Sequence, residues 1–289
     1  MIKTLCVTLL LGLAVSAESS GTSIAYRKVV SGRTAAHTIT VDLTNPNVKV
    51  SVALAEGGAG NSELFSSIVN RTRPEAAITG TFFDTKTLLP TGDIALFSRI
   101  VHSGCIGAAL CVDSGNRAAI VPLRAGRRSE WKGYETVLCA GPTLIANGKV
   151  AIAVKHEGFR GSLYNPSPRT AVGITRAGKL LLAAFSRKTS LYNVAKMMLK
   201  LDVVDAVSLD GGSSTGLYHN GRYFVRPGRR LTNCLVVYAN NEDYNRAKTA
   251  LAPAKLLACA APSLEAGKTN HAQPSSPGDA SEPTLAARQ

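Results

Sequence analysis

Aromatic residues, cysteines and carboxylates are all scarce in this chain of 289 residues. Phe, Trp and Tyr make up 6% of it, and no aromatic-rich nucleic-acid motif accompanies the basic residues. After residue 17 no apolar run is long enough to cross a membrane as a helix. Acidic residues number 19 against 33 Lys and Arg, which gives a formal net charge of +14. That excess favours anionic partners such as phosphate-bearing polymers, and we expect neither nucleic-acid binding nor a membrane span.

The six cysteines follow no metal-binding pattern. The sequence lacks a C-x-x-C pair and a histidine spaced to complete a zinc site, which argues against structural zinc. Cys6 belongs to the N-terminal apolar run and leaves an odd number, so at least one thiol is unpaired or bonded to another molecule. Cys105 and Cys111 are the pair most easily bridged, because nearby glycines suit a turn in an oxidising compartment. The pairing of the others is left open: Cys139, Cys234 and Cys259.

Both ends of the chain differ in composition from its middle. Residues 1–17 combine a lysine, an apolar stretch and a small-residue cleavage site, which is typical of a secretory signal. Residues 241–289 are rich in Ala, Pro and Ser and predict a disordered tail. One folded domain remains over residues 24–240. We therefore expect the mature protein to be secreted or periplasmic.

Short alternating stretches in the middle of the chain predict β-hairpins. Four hairpins are predicted, marked by a range or by a type I′ turn sequence: 37–55, Asn147-Gly148, 171–185 and Asn220-Gly221. Helical spacing predicts one helix that begins at Asn61 and ends before Pro74 and another over 191–201, and short apolar runs predict further strands over 76–79, 206–209 and 234–238. The pattern favours the α+β class: a mixed, largely antiparallel sheet built from hairpins, with a few packed helices in a single domain.

The residues best suited to catalysis or ligand binding follow a short apolar strand. Asp210 stands at the end of that strand, and Gly211 and Gly212 allow backbone amides to approach a ligand as an anion-binding nest. Ser213 and Ser214 add hydroxyl donors. A rigid strand that delivers a carboxylate and glycines to a loop is a common way to position a functional group.

The same loop also matches the nucleophile elbow G-x-S-x-G of α/β-hydrolases, with Ser214 as the nucleophile. That fold needs an acid and then a histidine downstream of the serine. Only His219 and His271 follow it, one on the next hairpin and one in the predicted tail. Because the parallel sheet of that fold is also missing, we consider the serine-hydrolase interpretation the weaker one.

Five stretches in order resemble the phosphodiester glycosidase domain family, over about residues 37–240. They are Ile78-Thr79-Gly80-Thr81-Phe82-Phe83, Ala140-Gly141-Pro142-Thr143-Leu144 with Asn147-Gly148-Lys149, Pro168-Arg169-Thr170-Ala171-Val172-Gly173, Leu209-Asp210-Gly211-Gly212-Ser213-Ser214 and Leu231-Thr232-Asn233-Cys234-Leu235. The resemblance implies an exported hydrolase that cleaves a glycosyl phosphodiester, a sugar-1-phosphate ester, in a surface polymer or glycoconjugate. Its partner would be a phosphorylated or phosphodiester-linked carbohydrate.

Two motifs depart from the family pattern. Thr79 and Thr81 stand where the family usually has an asparagine and a second glycine, and the aspartate loop has two glycines before its serine where three are usual. These changes favour an alternative function, a non-catalytic glycan-binding or envelope-associated protein with the same fold.

Cleavage at an anomeric carbon requires a held phosphate, a stabilised oxocarbenium-like ring and a positioned water or carboxylate. Asp210 is the candidate general base, or else a ligand of a divalent cation such as calcium. Arg169 is the candidate phosphate clamp, because a guanidinium binds phosphate oxygens in pairs. Asp84 is the candidate acid, with a pKa raised by its aromatic neighbours. The candidate substrate-binding residues are Thr79, Gly80, Phe82, Phe83, Gly211, Gly212, Ser213, Ser214 and Asn233.

Overall fold

The computed structural model describes residues 22–104, 106–123, 130–159 and 162–258. These residues form three β-sheets, and every pairing between their strands is antiparallel. The predicted α+β class in a single domain is confirmed, but the predicted mixed sheet is instead three separate antiparallel ones. The predicted secretory signal, residues 1–17, lies outside the described residues and stays a prediction.

The largest sheet has seven strands and supplies the strand that ends at Asp210. In spatial order its strands are β1 (Ile24–Ser31), β2 (Thr34–Val41), β13 (Leu180–Thr189), β12 (Ser167–Thr175), β14 (Val203–Leu209), β10 (Thr143–Ala146) and β11 (Lys149–Val150). Its central strands β12 and β14 are largely buried, and β13 is buried over residues 180–185 and at Thr189, as their apolar sequences require, whereas residues 186–188 of β13 are exposed.

Two five-stranded sheets complete the β-structure of the described residues. One runs in the order β16 (Arg222–Val225), β15 (Leu217–His219), β4 (Ala76–Thr79), β17 (Asn233–Tyr238) and β3 (Lys49–Leu54). The other runs in the order β6 (Arg99–His102), β5 (Ile94–Leu96), β9 (Tyr134–Ala140), β7 (Ala108–Asp113) and β8 (Ala118–Pro122). Buried side chains from all three sheets share one apolar cluster, which includes Ile39, Ile78, Leu110, Leu182 and Leu235. The sheets are therefore fixed relative to one another, and so are the loops at their strand ends.

Four helices pack on the sheets of the described part: α1 (Phe65–Thr72), α2 (Leu191–Lys200), α3 (Asn241–Leu251) and α4 (Ala254–Ala258). Helix α2 agrees with its prediction and buries one apolar face that includes Met197 and Met198. Its N-cap is Ser190, whose side chain accepts a hydrogen bond from the Asn193 amide. None of these helices is long and apolar enough to span a membrane.

Three of the four predicted hairpins form, and one is wrong. The Asn-Gly turns join β10 to β11 and β15 to β16, with positive φ at both residues of each turn, and β12 pairs with β13. The predicted hairpin over 37–55 does not form, because β2 pairs with β1 and β13 while β3 pairs with β17 in another sheet. The turn after β2 thus carries the chain between sheets. Alternation along a strand predicts its faces but not its pairing partner.

The predicted tail begins too early. Helix α3 starts after its N-cap Asn240, whose side chain accepts a hydrogen bond from the Asp243 amide at 2.8 Å. Tyr244, Ala247 and Leu251 are buried from this helix, at a spacing of three and four residues that fits one helical face. The prediction of disorder rested on the Ala-, Pro- and Ser-rich composition of the whole segment and overlooked this short amphipathic pattern. Residues 259–289 lie outside the described part of the chain.

The described cysteines are buried free thiols: Cys111, Cys139 and Cys234. Burial raises the pKa of Cys111 to about 12 and that of the other two further still. Cys105, the predicted partner of Cys111, lies outside the described residues. Among the residues that the structure describes there is no disulfide, and these thiols are in their unreactive, protonated form.

Candidate active site

The ends of three strands from two sheets meet at Gly80. The Asp210 amide, just after β14, donates to the Gly80 carbonyl oxygen at 3.0 Å, and the Gly80 amide donates to the Asn233 carbonyl oxygen at 3.1 Å. A Cβ placed on Gly80 would lie 1.8 Å from Asn233 Oδ1, so only glycine fits there. Three of the motifs singled out in the sequence are thus brought together at one point.

Asn233 and Thr79 support the site from beneath. Asn233 is 1% exposed, and its Oδ1 accepts from the Thr81 amide at 2.8 Å while its Nδ2 donates to the Thr232 hydroxyl. Thr79 is equally buried, and its hydroxyl donates to the Ser214 carbonyl oxygen. Both residues were predicted to bind substrate, but their hydrogen bonds to protein atoms give them the role of holding the two loops in place.

Asp210 is partly accessible to solvent and has an unusual pKa. The residue is partly exposed, while its carboxylate is surrounded by protein and accepts a hydrogen bond from the Gly211 amide at 2.9 Å. Burial raises the pKa of Asp210 to about 6, although the Ser214 side chain, the Gly211 amide and the charge of Arg229 act to lower it. A carboxyl group with that pKa can take up or release a proton close to neutral pH.

The glycine loop that follows Asp210 is shaped by close backbone contacts. A Cβ on Gly211 would lie 2.7 Å from the Pro168 carbonyl oxygen, and Gly212 has a φ of +60° at the start of a single 3₁₀ turn. Ser214 is buried at 1% exposure, whereas Ser213 is exposed. Of the two predicted serines, Ser213 therefore faces outward and Ser214 belongs to the support of the loop.

Arg229 is a functional candidate that sequence reasoning missed. Its guanidinium carbon lies 4.5 Å from the centroid of the Phe83 ring, and its charge lowers the pKa of Asp210. The Gly228 amide donates to the Ser213 carbonyl oxygen at 2.8 Å, which folds the basic segment onto the aspartate loop. The signal in the sequence was the cluster of arginines at 226–230, which is equally typical of a solvated surface.

Arg169 does not have the predicted position of a phosphate clamp. The residue is 3% exposed, and its Nη2 donates to the carbonyl oxygens of Leu163 at 2.7 Å and Asn165 at 2.5 Å. Its Nε donates to the Thr189 carbonyl oxygen at 3.5 Å. Its backbone still adjoins the site, since a Cβ on Gly211 would lie 3.4 Å from the Arg169 Cα. The guanidinium anchors the 163–165 segment to β13, a task for which its several donors suit it.

Asp84 also differs from its prediction. It is fully exposed, and its Oδ1 accepts hydrogen bonds from the Lys86 amide, the Thr87 amide and the Thr87 hydroxyl. These bonds lower the pKa of Asp84, where the prediction required it to be raised. Its carboxylate closes a local turn, as aspartates in loops commonly do.

The two adjacent phenylalanines have separate roles. Phe82 packs edge-on against Phe159 with ring centroids 5.4 Å apart, next to the apolar cluster beneath α2. Phe83 is partly exposed and carries Arg229 on its ring. Phe82 is partly exposed as well, but it packs against that apolar cluster, so Phe83 is the stronger candidate for substrate contact.

No three His, Cys, Asp or Glu residues of the described segments are grouped as metal ligands. The predicted calcium at Asp210 stays a prediction, since oxygen ligands from backbone and water can also hold that ion.

With its antiparallel α+β fold and a carboxylate and glycine turn at its strand ends, the chain can be assigned to a hydrolase family. The chain belongs to that family: residues 72–238 match phosphodiester glycosidase. This confirms the relationship inferred from the five motifs.

Similar proteins extend this relationship. A stretch of 60 residues, 19% of this chain, is 43% identical to N-acetylglucosamine-1-phosphodiester alpha-N-acetylglucosaminidase of Bos taurus and spans 11% of that protein. The zebrafish catalytic domain of the same name, auto-inhibited by its pro-peptide, superposes with a TM-score of 0.61 at 21% identity, covering 74% of this chain and 82% of that one. A hypothetical protein from Synechocystis gives 0.66 at 17% identity, covering 74% of this chain and 61% of that one.

A third neighbour, from Burkholderia pseudomallei and described as exported, gives a TM-score of 0.57 at 15% identity and covers 71% of this chain and 74% of that one. At these low sequence identities, the similarity to the three solved structures shows a shared fold. The chain also spans only about a tenth of the bovine relative's length.

Proposed function

We propose that this protein hydrolyses a glycosyl phosphodiester, releasing a free sugar and a phosphate monoester. Family membership supports the class of reaction. The observation that carries the proposal is the Asp210 carboxyl, with its pKa raised to about 6, at the end of a rigid strand beside Arg229 and the glycine turn.

The reaction needs one positioned base. As a water oxygen attacks the anomeric carbon, Asp210 accepts a proton from that water, and the bond between the anomeric carbon and the phosphate oxygen breaks. The electron pair of that bond leaves with the phosphate, which is stable as an anion and needs no strong acid. The raised pKa makes the Asp210 carboxylate a stronger base than an exposed aspartate, while it stays largely ionised at neutral pH.

The phosphate is held by donors around the glycine turn. Arg229 supplies a guanidinium already oriented on Phe83, and it can bind two phosphate oxygens at once. The Gly212 amide and the exposed Ser213 hydroxyl are further donors, whereas the Gly211 amide already donates to the Asp210 carboxylate. Donors aimed at the leaving phosphate stabilise the charge that develops as the bond breaks.

Export and the substrate class are part of the proposal and are supported by the sequence. The N-terminal segment 1–17 and the net charge of +14 support a secreted or periplasmic protein that acts on a surface polymer or glycoconjugate. The alternative is a non-catalytic glycan-binding protein, which the threonines at 79 and 81 favoured. Thr79 is buried beneath the Ser214 carbonyl, so its identity affects the support of the loop more than a contact with substrate.

The test is hydrolysis of synthetic glycosyl phosphodiesters by the purified chain in water labelled with oxygen-18. We expect the label in the released sugar, since attack is at the anomeric carbon. Label in the phosphate instead would identify a phosphodiesterase and contradict the proposal. Retention on phosphorylated glycans with no release from any substrate would favour the binding protein. Parallel reactions with a chelator and with added calcium test the divalent cation at Asp210.

A further inference from the structure

Five strand ends of the seven-stranded sheet lie along the same edge as Asp210. In spatial order they are the end of β1 at Ser31, the start of β2 at Thr34, the end of β13 at Thr189, the start of β12 at Ser167 and the end of β14 at Leu209. Neighbouring strands are about 4.8 Å apart, so the ends of β13 and β2 lie roughly 10–15 Å from that of β14. A feature at these ends is within reach of an extended molecule bound at Asp210.

A basic cleft occupies that position, between the β1–β2 turn, the end of β13 and helix α2. A cavity of about 500 Å³ is lined by residues that include Arg33, Arg187, Lys188, Thr189 and Asn193. An adjacent cavity of about 150 Å³, which shares Thr34 and Asn193 with the first, adds Lys196 and Lys200. Neither cavity has a carboxylate among its described lining residues. We call the two together the basic cleft.

The charge of the basic cleft is not neutralised by the protein. Within the described segments, none of its five cations forms an ion pair with a carboxylate, and Lys200 donates to the Ser31 hydroxyl at 2.7 Å. Uncompensated like charges raise the local potential and attract anions. The basic cleft is thus suited to a ligand of high negative charge.

A buried hydroxyl provides an independent sign of a ligand. Thr189 is 7% exposed, lines the larger cavity, and its Oγ1 has no hydrogen-bond partner among the described residues. An unpartnered buried polar atom is costly, so such atoms usually meet a ligand or water. Thr189 is also fixed in place, because its carbonyl oxygen accepts the bond from Arg169.

The N-terminal end of helix α2 also favours an anion at the basic cleft. The helix has 10 residues and begins directly after Thr189 and its N-cap Ser190, so its positive end adjoins the larger cavity, while the smaller cavity runs along the helix to Lys200. Free amides and the helix dipole at such an end favour phosphate groups. The basic side chains, the Thr189 hydroxyl and the N-terminal end of helix α2 all favour a phosphate ligand.

We infer that the basic cleft is a phosphate-binding subsite that holds a second phosphate group of the substrate, next to the bond that Asp210 cleaves. The link to substrate rests on the proposed function, whereas phosphate binding by the basic cleft does not. The ligand class is then a carbohydrate polymer with repeated phosphate groups, since a substrate with a single phosphate could fill only one of the two sites.

The experiment is calorimetric titration of the intact chain with inorganic tripolyphosphate at several salt concentrations. We expect the double variant Arg187→Gln/Lys188→Gln to weaken binding by about tenfold or more and to reduce its salt dependence, because two charged contacts are lost. Thr189→Val keeps the shape of the side chain and removes the hydroxyl, and we expect binding weaker by about threefold or more. The matched control Lys132→Gln/Lys149→Gln removes two exposed charges elsewhere and should leave binding within about twofold of wild type.

Equal weakening by the two double variants would show attraction to net charge alone and would overturn the subsite. Wild-type affinity in Thr189→Val would do the same. If Arg187→Gln/Lys188→Gln loses binding to anionic phosphatidylglycerol vesicles but keeps its affinity for tripolyphosphate, the basic cleft serves a membrane surface and the inference is wrong. Because no turnover is measured, these results stand apart from the fate of the proposed hydrolysis.

Discussion

Two aspartates singled out in the sequence, Asp210 and Asp84, have opposite environments. Asp210 follows β14 directly into a crowded loop and has its pKa raised to about 6, whereas Asp84 lies in an exposed turn of the loop after β4 and has its pKa lowered. The sequence had predicted a raised pKa for Asp84, because two phenylalanines precede it. The difference teaches that a side chain's own burial and hydrogen bonds, more than its neighbours in sequence, decide which carboxyl can act on protons.

The strongest test of this comparison is to remove each carboxylate in turn. We expect Asp210→Asn to lower kcat/KM for a cleaved glycosyl phosphodiester by about 10³-fold or more, because the amide cannot accept the proton of the attacking water. Asp84→Asn should change kcat/KM by less than about threefold, because its carboxylate serves a local turn. Steady-state assays of both purified variants measure the effect. Similar losses in the two variants would remove the distinction drawn between them.

The two arginines near the site form the second comparison. We expect Arg229→Gln to lower kcat/KM by about 10²-fold with little loss of stability, because its guanidinium lies on the Phe83 ring and its charge acts on the Asp210 carboxyl. Arg169→Gln should instead lower the free energy of unfolding by about 2–3 kcal/mol, because backbone carbonyls lose their donors. Urea unfolding and steady-state kinetics separate the two effects. A kinetic loss in Arg169→Gln without loss of stability would restore Arg169 as the phosphate clamp.

The sequence predicted the elements with local signals and missed the relations between distant ones. The Asn-Gly turns, helix α2 and strand β14 carry their own turn or periodicity, and all formed as predicted. The pairing of β3 with β17 joins residues about 180 positions apart, which no local pattern encodes. Helix α3 was missed because composition outweighed its short amphipathic spacing.

The same limit applied to the site. Asp210 and its glycines could be predicted, since a strand, a carboxylate and a flexible turn are contiguous in sequence. The position of Arg229 above Phe83 depends on the bond from Gly228 to Ser213, and the role of Arg169 depends on carbonyls supplied by a separate loop. Arginines have similar sequence signatures in both roles, and tertiary contacts alone distinguish them.

The smallest predicted effect, on stability, sharpens the comparison of the two aspartates because its sign differs between them. The folded-state pKa of Asp210 is raised, so its ionisation opposes folding: the wild type should gain stability as pH falls from about 6 toward 4. Asp210→Asn lacks that cost, so we expect it to be more stable than wild type by about 1–3 kcal/mol at pH 7, an advantage that disappears near pH 4.

For Asp84 the pKa is lowered, so its stabilisation is present above the unfolded pKa and is lost as pH falls. Asp84→Asn should therefore be slightly less stable than wild type at pH 7. Urea unfolding of the three proteins at pH 4 and pH 7 measures both signs, and a destabilised Asp210→Asn at pH 7 would show that its carboxylate supports the fold and does not strain it.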